Sequence, residues 1–559
     1  MSTTMIFGVL KAKWNGSRWL AFTCALLMAI AAAPLRAQTY QDLYDFNCNT
    51  GGCDPFDSGQ LTQGADGNLY GTAQNGGSNG FGTIFMVTPS GTYTDLWQFD
   101  GTNGSNPIAA LTLASDGNFY GTTASGGAKG YGTVFRFTPP ASFTVLHSFT
   151  YTDGDTPEAA PVEAKDGNLY GATYSGKTYR ITLPAGTFKQ LPNNTPGFTF
   201  DPLLLASDGN LYGTTFNGGP GGSGPGTVFR MTTAGAIKVI HNFTGTGSDG
   251  AFPDSQLTQA SDGNLYGTTH DGGANNSGMV FKLTLAGTFT ALHSFDVYTG
   301  GSFKLNNDGG GPVAGLLAAS DGNLYGANSL GGANGNGTLF QITKGGFFTK
   351  LFDFPGNLDS GPSPLATLVQ HSNGAFYGVT NPSGNSAPAG NFYSLTPSNR
   401  IQIVLVEGPV WVKPGQPVEI LGNNMNEVSS ITFAGIQAQF QPGSDTYLIA
   451  EVPNAAVDGL ITATLVTGQQ IQSAGAMRIL PLITNLDPSS GPVGTQVGIT
   501  GGGFAGAKKV TFGGVKATSF HVASPTLIQA FVPTGAKTGK VGVVTPNGSA
   551  VSKITFTVN

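Results

Sequence analysis

One hexapeptide, Asp-Gly-Asn-Leu/Phe-Tyr-Gly, restricts what this chain can fold into more than any other feature. It begins at Asp66, Asp116, Asp166, Asp208, Asp262 and Asp321, and a worn seventh copy runs Asn373-Gly374-Ala375-Phe376-Tyr377-Gly378. Copies recur 42 to 59 residues apart, a period that means a propeller or a solenoid. The second unit displays four strand-like segments, at 110–114, 119–123, 133–137 and 143–149. Asp116-Gly117-Asn118 marks a hairpin turn between the first two, a Gly-rich loop at 125–132 follows, and Pro139-Pro140 turns the chain again. Four antiparallel strands in about fifty residues make one propeller blade. Third strands carry an aromatic at one position, among them Phe85, Phe135, Phe229, Phe281 and Phe340, with apolar residues two further on and usually one before. Both faces of such a strand are buried, as neighbouring blades require.

The number of strands predicts a closed ring. Fourth strands reach seven only if Tyr40-Gln41-Asp42-Leu43-Tyr44-Asp45-Phe46 is included, and it precedes every hexapeptide. It matches Tyr93-Thr94-Asp95-Leu96-Trp97-Gln98-Phe99 and is expected to complete the last blade by pairing with residues 392–396. Composition agrees: 86 Gly and 33 Pro fit many short strands joined by tight turns, and 39% hydrophobic residues exclude disorder. Net charge is −6 and no basic run occurs after the first residues, which argues against nucleic acid and anionic membranes as partners.

The N-terminus reads as a secretory signal: Lys11, Lys13 and Arg18, then an apolar stretch over 19–33, then Leu35-Arg36-Ala37. An uncleaved anchor is the alternative, and no second long apolar stretch follows, so the mature chain is expected to lack a transmembrane segment. Export to a secreted, periplasmic or cell-surface location leaves Cys48 and Cys53 as the cysteines of the mature chain. A disulfide between them is expected in an oxidising compartment; two free thiols or half of a metal site is the alternative.

The repeat, with its Gly-Gly loop, Gly-Thr-Val-Phe and closing Leu-His-Ser-Phe, resembles the GloVer tandem repeat of exported bacterial proteins. The full pattern stands at 111–149 and 257–295, and the resemblance spans about 40 to 396. It implies surface or secreted placement and no catalytic residue. Near Arg400 the hexapeptides stop and two units offset by about eighty residues begin. Gly415-Gln416-Pro417-Val418-Glu419-Ile420-Leu421-Gly422 aligns with Gly494-Thr495-Gln496-Val497-Gly498-Ile499-Thr500-Gly501. Both units resemble IPT/TIG domains, which implies immunoglobulin-like folds acting as spacers or binding modules. The expected fold class is all-β: a seven-bladed β-propeller followed by two immunoglobulin-like β-sandwiches. The expected domains are residues 1–37, 38–398, 399–480 and 481–559.

Catalytic patterns arise here as by-products of glycine content. Gly76-Gly77-Ser78-Asn79-Gly80 mimics a nucleophile elbow, but it is a repeat loop with no strand-to-helix context. His147, His241 and His293 share one repeat position with Tyr44, Trp97 and Phe352, which favours packing over catalysis; His270, His371 and His521 are isolated. No sequence pattern calls for a cofactor or metal. Meander geometry puts the Gly-rich loops and the crossovers between blades on one face. That face repeats Asn/Asp-Gly-x-x-Pro, starting at Asn103, Asp153 and Asp249 and, with an extra Gly, at Asp308. These four are the candidate ligand-face residues.

Two function classes remain. The first is a non-enzymatic exported binding or adhesion protein that recognises a polysaccharide or another cell-envelope partner. The alternative is a propeller enzyme, because Asp-Gly-Asn-Leu is similar to repeats in virginiamycin-lyase-like and gluconolactonase-like propellers. Glu158 and Glu163, the only glutamates of the propeller, are the positions where such an enzyme would break the repeat.

Overall fold

The computed structural model describes residues 39–48, 51–53, 55, 60–219, 222–299, 305–355, 362–382, 390–396, 404–406, 411–422, 425–442, 447–466, 468, 470–473 and 476–559. The expected signal segment, 1–37, lies outside them.

The hexapeptide closes each first hairpin with a fixed set of bonds. In the second copy one oxygen of Asp116 accepts the Asn118 N–H at 3.0 Å and the other accepts the Tyr120 hydroxyl at 2.7 Å. The same Tyr–Asp bond recurs at Asp66, Asp166, Asp208, Asp262 and Asp321, between 2.7 and 2.9 Å. Gly117 stands at φ +79°, which glycine adopts without strain. The glycine after the tyrosine serves close packing: a Cβ on Gly71 would lie 2.7 Å from Cζ of Phe85. The repeated Asp-Gly-Asn is thus a turn whose carboxylate is engaged within its own hairpin.

The first six copies each form a four-stranded antiparallel sheet and the last belongs to a five-stranded one; the second consists of Thr112–Leu113, Phe119–Thr123, Thr133–Thr138 and Ser142–Ser148 in spatial order. The last sheet takes its outer strand from the chain's beginning. Thr39–Asp45 pairs with Asn391–Thr396, in a register that sets Tyr40 opposite Leu395 and Asp45 opposite Asn391. Neighbouring sheets share buried clusters, such as Tyr70 and Phe99 with Phe119 and Phe137, and Phe354 with Tyr393. The cycle closes where Tyr377 and Phe392 of the last sheet meet Leu69 and Phe85 of the first. The result is a propeller-like ring of sheets.

The rim holds a second cyclic contact. One fourth-strand side chain stacks on an aromatic of the next blade's outer strand. Trp97 lies on Phe143 at 4.6 Å, His147 on Phe188 at 3.6 Å, His241 on Phe289 at 4.4 Å and His293 on Phe348 at 4.1 Å between ring centroids. The series continues with Phe352 on Tyr40 and Tyr44 on Tyr93. These histidines therefore pack as their aromatic counterparts do.

Clamps on the hairpin-turn face join blades in pairs. Gln63, Glu163, Gln259 and Gln370 each reach to the turn serine of the preceding blade, at Ser372, Ser115, Ser207 and Ser320. His371 adds to the closing contact. Its Nδ1 accepts the Asn373 N–H at 3.0 Å, so Nε2 carries the proton and donates to the Gly67 carbonyl of the first blade at 2.8 Å. Burial holds its pKa below the ordinary value, against the opposing pull of the Gly67 carbonyl and the Asn373 side chain. A depressed folded-state pKa means that stability present above about pH 6.5 is lost as pH falls below it. We expect His371→Ala to lower the melting temperature at pH 7.5 but to shrink the further drop between pH 7.5 and pH 5.5. Equal drops in the two proteins would exclude this role.

Two further two-sheet units follow. In the first, Pro417–Gly422 and Tyr447–Glu451 belong to one sheet, Val428–Phe433 and Ile461–Leu465 to the other, over a core including Ile431, Phe433, Leu448 and Ala463. In the second, Gln496–Gly502 and Leu527–Phe531 face Lys509–Phe512 and Gly539–Thr545 over Val497, Ile499, Phe512 and Phe556. Both pair their first-sheet strands in the same order, and in both a two-residue strand pairs in parallel with a late strand. Asp458, held by Arg478 of its own unit at 3.0 Å, ties the units together by accepting from Asn547 of the second at 2.7 Å.

Candidate binding arc at the mouth of the ring

The cysteine expectation resolves simply: Cys48 and Cys53 form a disulfide with Cα atoms 4.9 Å apart. The four candidate ligand residues lie in the crossover loops as expected, but their side chains are engaged in closing those loops. Asp153 accepts the Thr150 N–H at 2.7 Å and faces Nε2 of His147 at 3.1 Å. Asp249 bonds the Thr244 N–H at 2.9 Å and His241 at 3.2 Å. Asp308, 7% exposed, bonds the Asp296 N–H at 3.0 Å and His293 at 2.8 Å. Asn103, in the blade that carries Trp97 instead of His, exchanges hydrogen bonds with Asp100. The sequence held this signal: Asp in the loop accompanies His on the strand, and Asn accompanies Trp.

The crossovers are stapled at both ends. The Asn106 N–H reaches back to the Phe81 carbonyl at 3.1 Å, while its carbonyl accepts the Ala124 N–H of the next blade at 2.9 Å. Thr156 and Phe252 repeat the arrangement. All three precede proline and stand at φ between +47° and +55°, a strained conformation for side-chain-bearing residues that costs on the order of 1–2 kcal/mol each. The staple fixes the residues that come just after it.

Those residues differ between blades where the scaffold positions do not. Crossovers bring Glu158, Phe200 and Asp254 to equivalent positions, three residues before the equivalents of Leu111. Just past the second strands, one residue after Thr-Thr or its equivalent, come Ala124, Tyr174, Phe216 and His270. The two sets interleave. Phe200 touches Tyr174 at 5.3 Å and Phe216 at 5.4 Å between ring centroids. Phe198 stacks on Tyr174 at 4.7 Å and Phe252 on Phe216 at 5.0 Å. The five rings form a continuous aromatic arc across the third, fourth and fifth blades, each ring partly exposed and Phe198 39% exposed.

Asp254 continues the arc beyond Phe216. Burial pushes its carboxyl up to about 6, against the attraction of neighbouring His270. His270 is oriented in turn by Asp271, Nδ1 to Oδ1 at 2.9 Å. Glu158 occupies the equivalent position at the other end, before Tyr174. Flat apolar rings bounded by polar groups suit a ligand with an apolar face and a hydroxylated edge. Sequence reasoning missed this arc because it sought exceptions in the first strands and took His270 as isolated.

Glu163 belongs elsewhere. Its two oxygens accept the Ser115 N–H at 2.7 Å and hydroxyl at 2.6 Å, the role that glutamines play in three other blades. Glu163→Gln should therefore unfold within about 1 kcal/mol of the parent, and Glu163→Ala should lose about 2 kcal/mol by stranding Ser115. Denaturant titration distinguishes the two. Ser78 donates to Gln98, at the end of the fourth strand, at 2.7 Å. A cleft of about 900 Å³ lies on the turn face, where Ser115, Glu163 and Lys165 meet Trp411, Lys413 and Asn547 of the C-terminal units. Of its carboxylates Glu163 is held by Ser115 while Asp116 and Asp166 are held in their own turns, and Lys165 sits over the Trp411 ring at 5.2 Å. It is a junction between units, so the site is assigned to the arc. Among the described residues no group of His, Cys, Asp and Glu is arranged to hold a metal ion, and no helix is long and apolar enough to cross a membrane.

Comparison with known proteins gives two family matches. The Gloeobacter/Verrucomicrobia repeat matches residues 29–183, 175–306 and 298–408. The IPT/TIG domain matches residues 481–558, so one of the two units expected is found. No curated protein matches the chain in sequence. Solved structures that resemble it include virginiamycin B lyase from Staphylococcus aureus, at 15% identity and TM-score 0.42 over 64% of this chain and 99% of that one. A fungal alcohol oxidase in complex with copper reaches 13% identity and TM-score 0.48 over 79% and 100%. A surface glycan-binding protein from a xyloglucan utilization locus of Bacteroides uniformis reaches 16% identity and TM-score 0.16 over 28% and 49%.

Proposed function

The chain belongs to the Gloeobacter/Verrucomicrobia repeat family, and on that premise we propose that it is an exported, non-enzymatic protein that binds an extended saccharide. In this reading residues 1–37 are a cleaved signal and residues 38–398 a seven-bladed β-propeller. Residues 399–480 are a diverged second copy of the immunoglobulin-like IPT/TIG unit at 481–559, and the two present the propeller to its ligand. The shared strand order of the two C-terminal units supports the last point.

The observation that carries the function is the aromatic arc of Phe198, Tyr174, Phe200, Phe216 and Phe252. A protein that only needed a stable ring would have no use for a row of partly exposed rings at its mouth; rows of this kind are normally covered by a ligand or partner. A sugar ring offers a C–H face to stack on such a surface, and successive residues of a chain can engage successive rings, so that weak contacts add. Affinity electrophoresis of the exported protein through gels containing soluble polysaccharides tests this. Retardation by at least one polymer is expected, and Tyr174→Ala/Phe216→Ala should weaken it by about tenfold or more. An arc variant retarded as strongly as the parent would refute the assignment.

One observation favours a second reading, an acid–base enzyme. Asp254, with its raised pKa, stands beside an imidazole oriented by a second carboxylate, an arrangement suited to proton transfer. Product release from the bound polymer, abolished in Asp254→Asn, would favour that reading over simple binding.

A further inference from the structure

We infer that the ligand of the arc bears protonated amines: a polysaccharide of the glucosamine-polymer class. This rests on reading the arc as a saccharide site and adds the charge of the saccharide.

The argument is charge complementarity over a fixed aromatic surface. The arc has a carboxylate at each end, Glu158 before Tyr174 and Asp254 after Phe216. Behind the arc Asp201, 8% exposed, approaches the Thr214 hydroxyl at 3.3 Å. Beyond Asp254 comes the His270–Asp271 pair. Carboxylates occur in every crossover from the second blade to the sixth, those of Asp153, Asp249 and Asp308 paired with histidines, whereas the described crossovers and Gly-rich loops carry only Lys129 and, closing the short third-blade loop, Lys177 as lysines or arginines. A neutral saccharide needs no such field, and an anionic one would be repelled by it. An ammonium group gains twice, from the carboxylates and from the faces of the aromatic rings. A sugar polymer fits better than a basic peptide because the rings form one contiguous row, which stacks successive flat units; a lysine chain offers charge without such faces.

The test compares oligosaccharides of equal length by calorimetry at about pH 6.5, where an amino sugar and the flanking carboxylates are both largely charged. The probes are glucosamine, N-acetylglucosamine and glucose oligomers, with a uronic acid oligomer and oligolysine as charge controls. The glucosamine oligomer should bind about tenfold or more tighter than its acetylated counterpart, and the advantage should shrink with added salt. Asp254→Asn/Glu158→Gln should bring the two oligomers within about twofold of each other. Equal or tighter binding of the neutral oligomers, or preference for the uronic acid oligomer, would overturn this inference and leave the saccharide reading standing. Tighter binding of oligolysine would overturn the saccharide part. Absence of binding to every oligosaccharide would remove both.

Discussion

Removal of residues 38–47 is expected to unfold the ring at temperatures where the parent is fully folded. The deleted strand supplies the whole outer edge of the last sheet, in register from Thr39 opposite Thr396 to Asp45 opposite Asn391. It also supplies side chains to both flanking interfaces. Tyr40 stacks on Phe352 at 4.1 Å and lies 5.4 Å from Tyr393. Tyr44 stacks on Tyr93 at 4.7 Å, and Phe46, 1% exposed, enters the cluster that joins the last blade to the first. Full burial of one large aromatic contributes roughly 2–3 kcal/mol, and partly buried Tyr40 and Tyr44 contribute roughly half as much each. Losing three, with a strand's worth of ladder bonds, approaches the entire net stability of a typical domain, about 5–15 kcal/mol. Calorimetry should show a fall in melting temperature of more than about 10 °C, or no cooperative transition for the ring at all. The C-terminal transition should persist, because those units have cores of their own. An unchanged ring transition would mean that the edge strand is decorative and that closure lies elsewhere.

Asp254→Asn is expected to stabilise the protein. The folded state raises the carboxyl from its ordinary value to about 6. A raised folded-state pKa contributes stability that is fully present below the unfolded value, near pH 4, and is lost as pH rises through about 6. Above that pH the ionised group is a net cost, on the order of 2–3 kcal/mol. The asparagine variant should therefore melt several degrees higher than the parent at pH 8 and at nearly the same temperature at pH 4.5. A carboxylate kept where it destabilises the fold is a mark of function, since stability alone would select its removal. Equal melting temperatures at both values of pH would dismiss the buried-carboxylate account of the arc's end.

Most of the ring was legible before any coordinates. Seven copies of one unit average away local ambiguity, and third strands apolar on both faces have few places to go except between neighbouring blades. Even closure could be read, because the strand at Tyr40 had no unit of its own to complete. What the sequence hid was pairing across long separations. Asp153, Asp249 and Asp308 looked like polar groups offered to a ligand. The histidines at positions 147, 241 and 293 that absorb them lie on a neighbouring strand, and only the matched substitution of Asn103 with Trp97 hinted at the connection. The arc was concealed for a related reason. Its members come from two segments of each repeat, the residue just past the second strand and the crossover, and neither segment is rich in aromatics alone. The useful clue was variation: at one repeat position the copies read Gln74, Ala124, Tyr174, Phe216, His270 and Ser329, while the adjoining scaffold residues hardly change. A position released from the packing that governs its neighbours is free to serve a ligand.

Hydrogen–deuterium exchange of the ligand-bound protein tests the central assignment most directly, because it reads location independently of affinity. Once a retarding polysaccharide is in hand, protection should gather in peptides covering Tyr174, 198–201, Phe216 and 252–254, with little change at the hairpin turns of the opposite face. Protection confined to 411–418 and 544–549, which line the junction cleft, or spread evenly around the ring, would contradict the assignment of the binding surface to the aromatic arc.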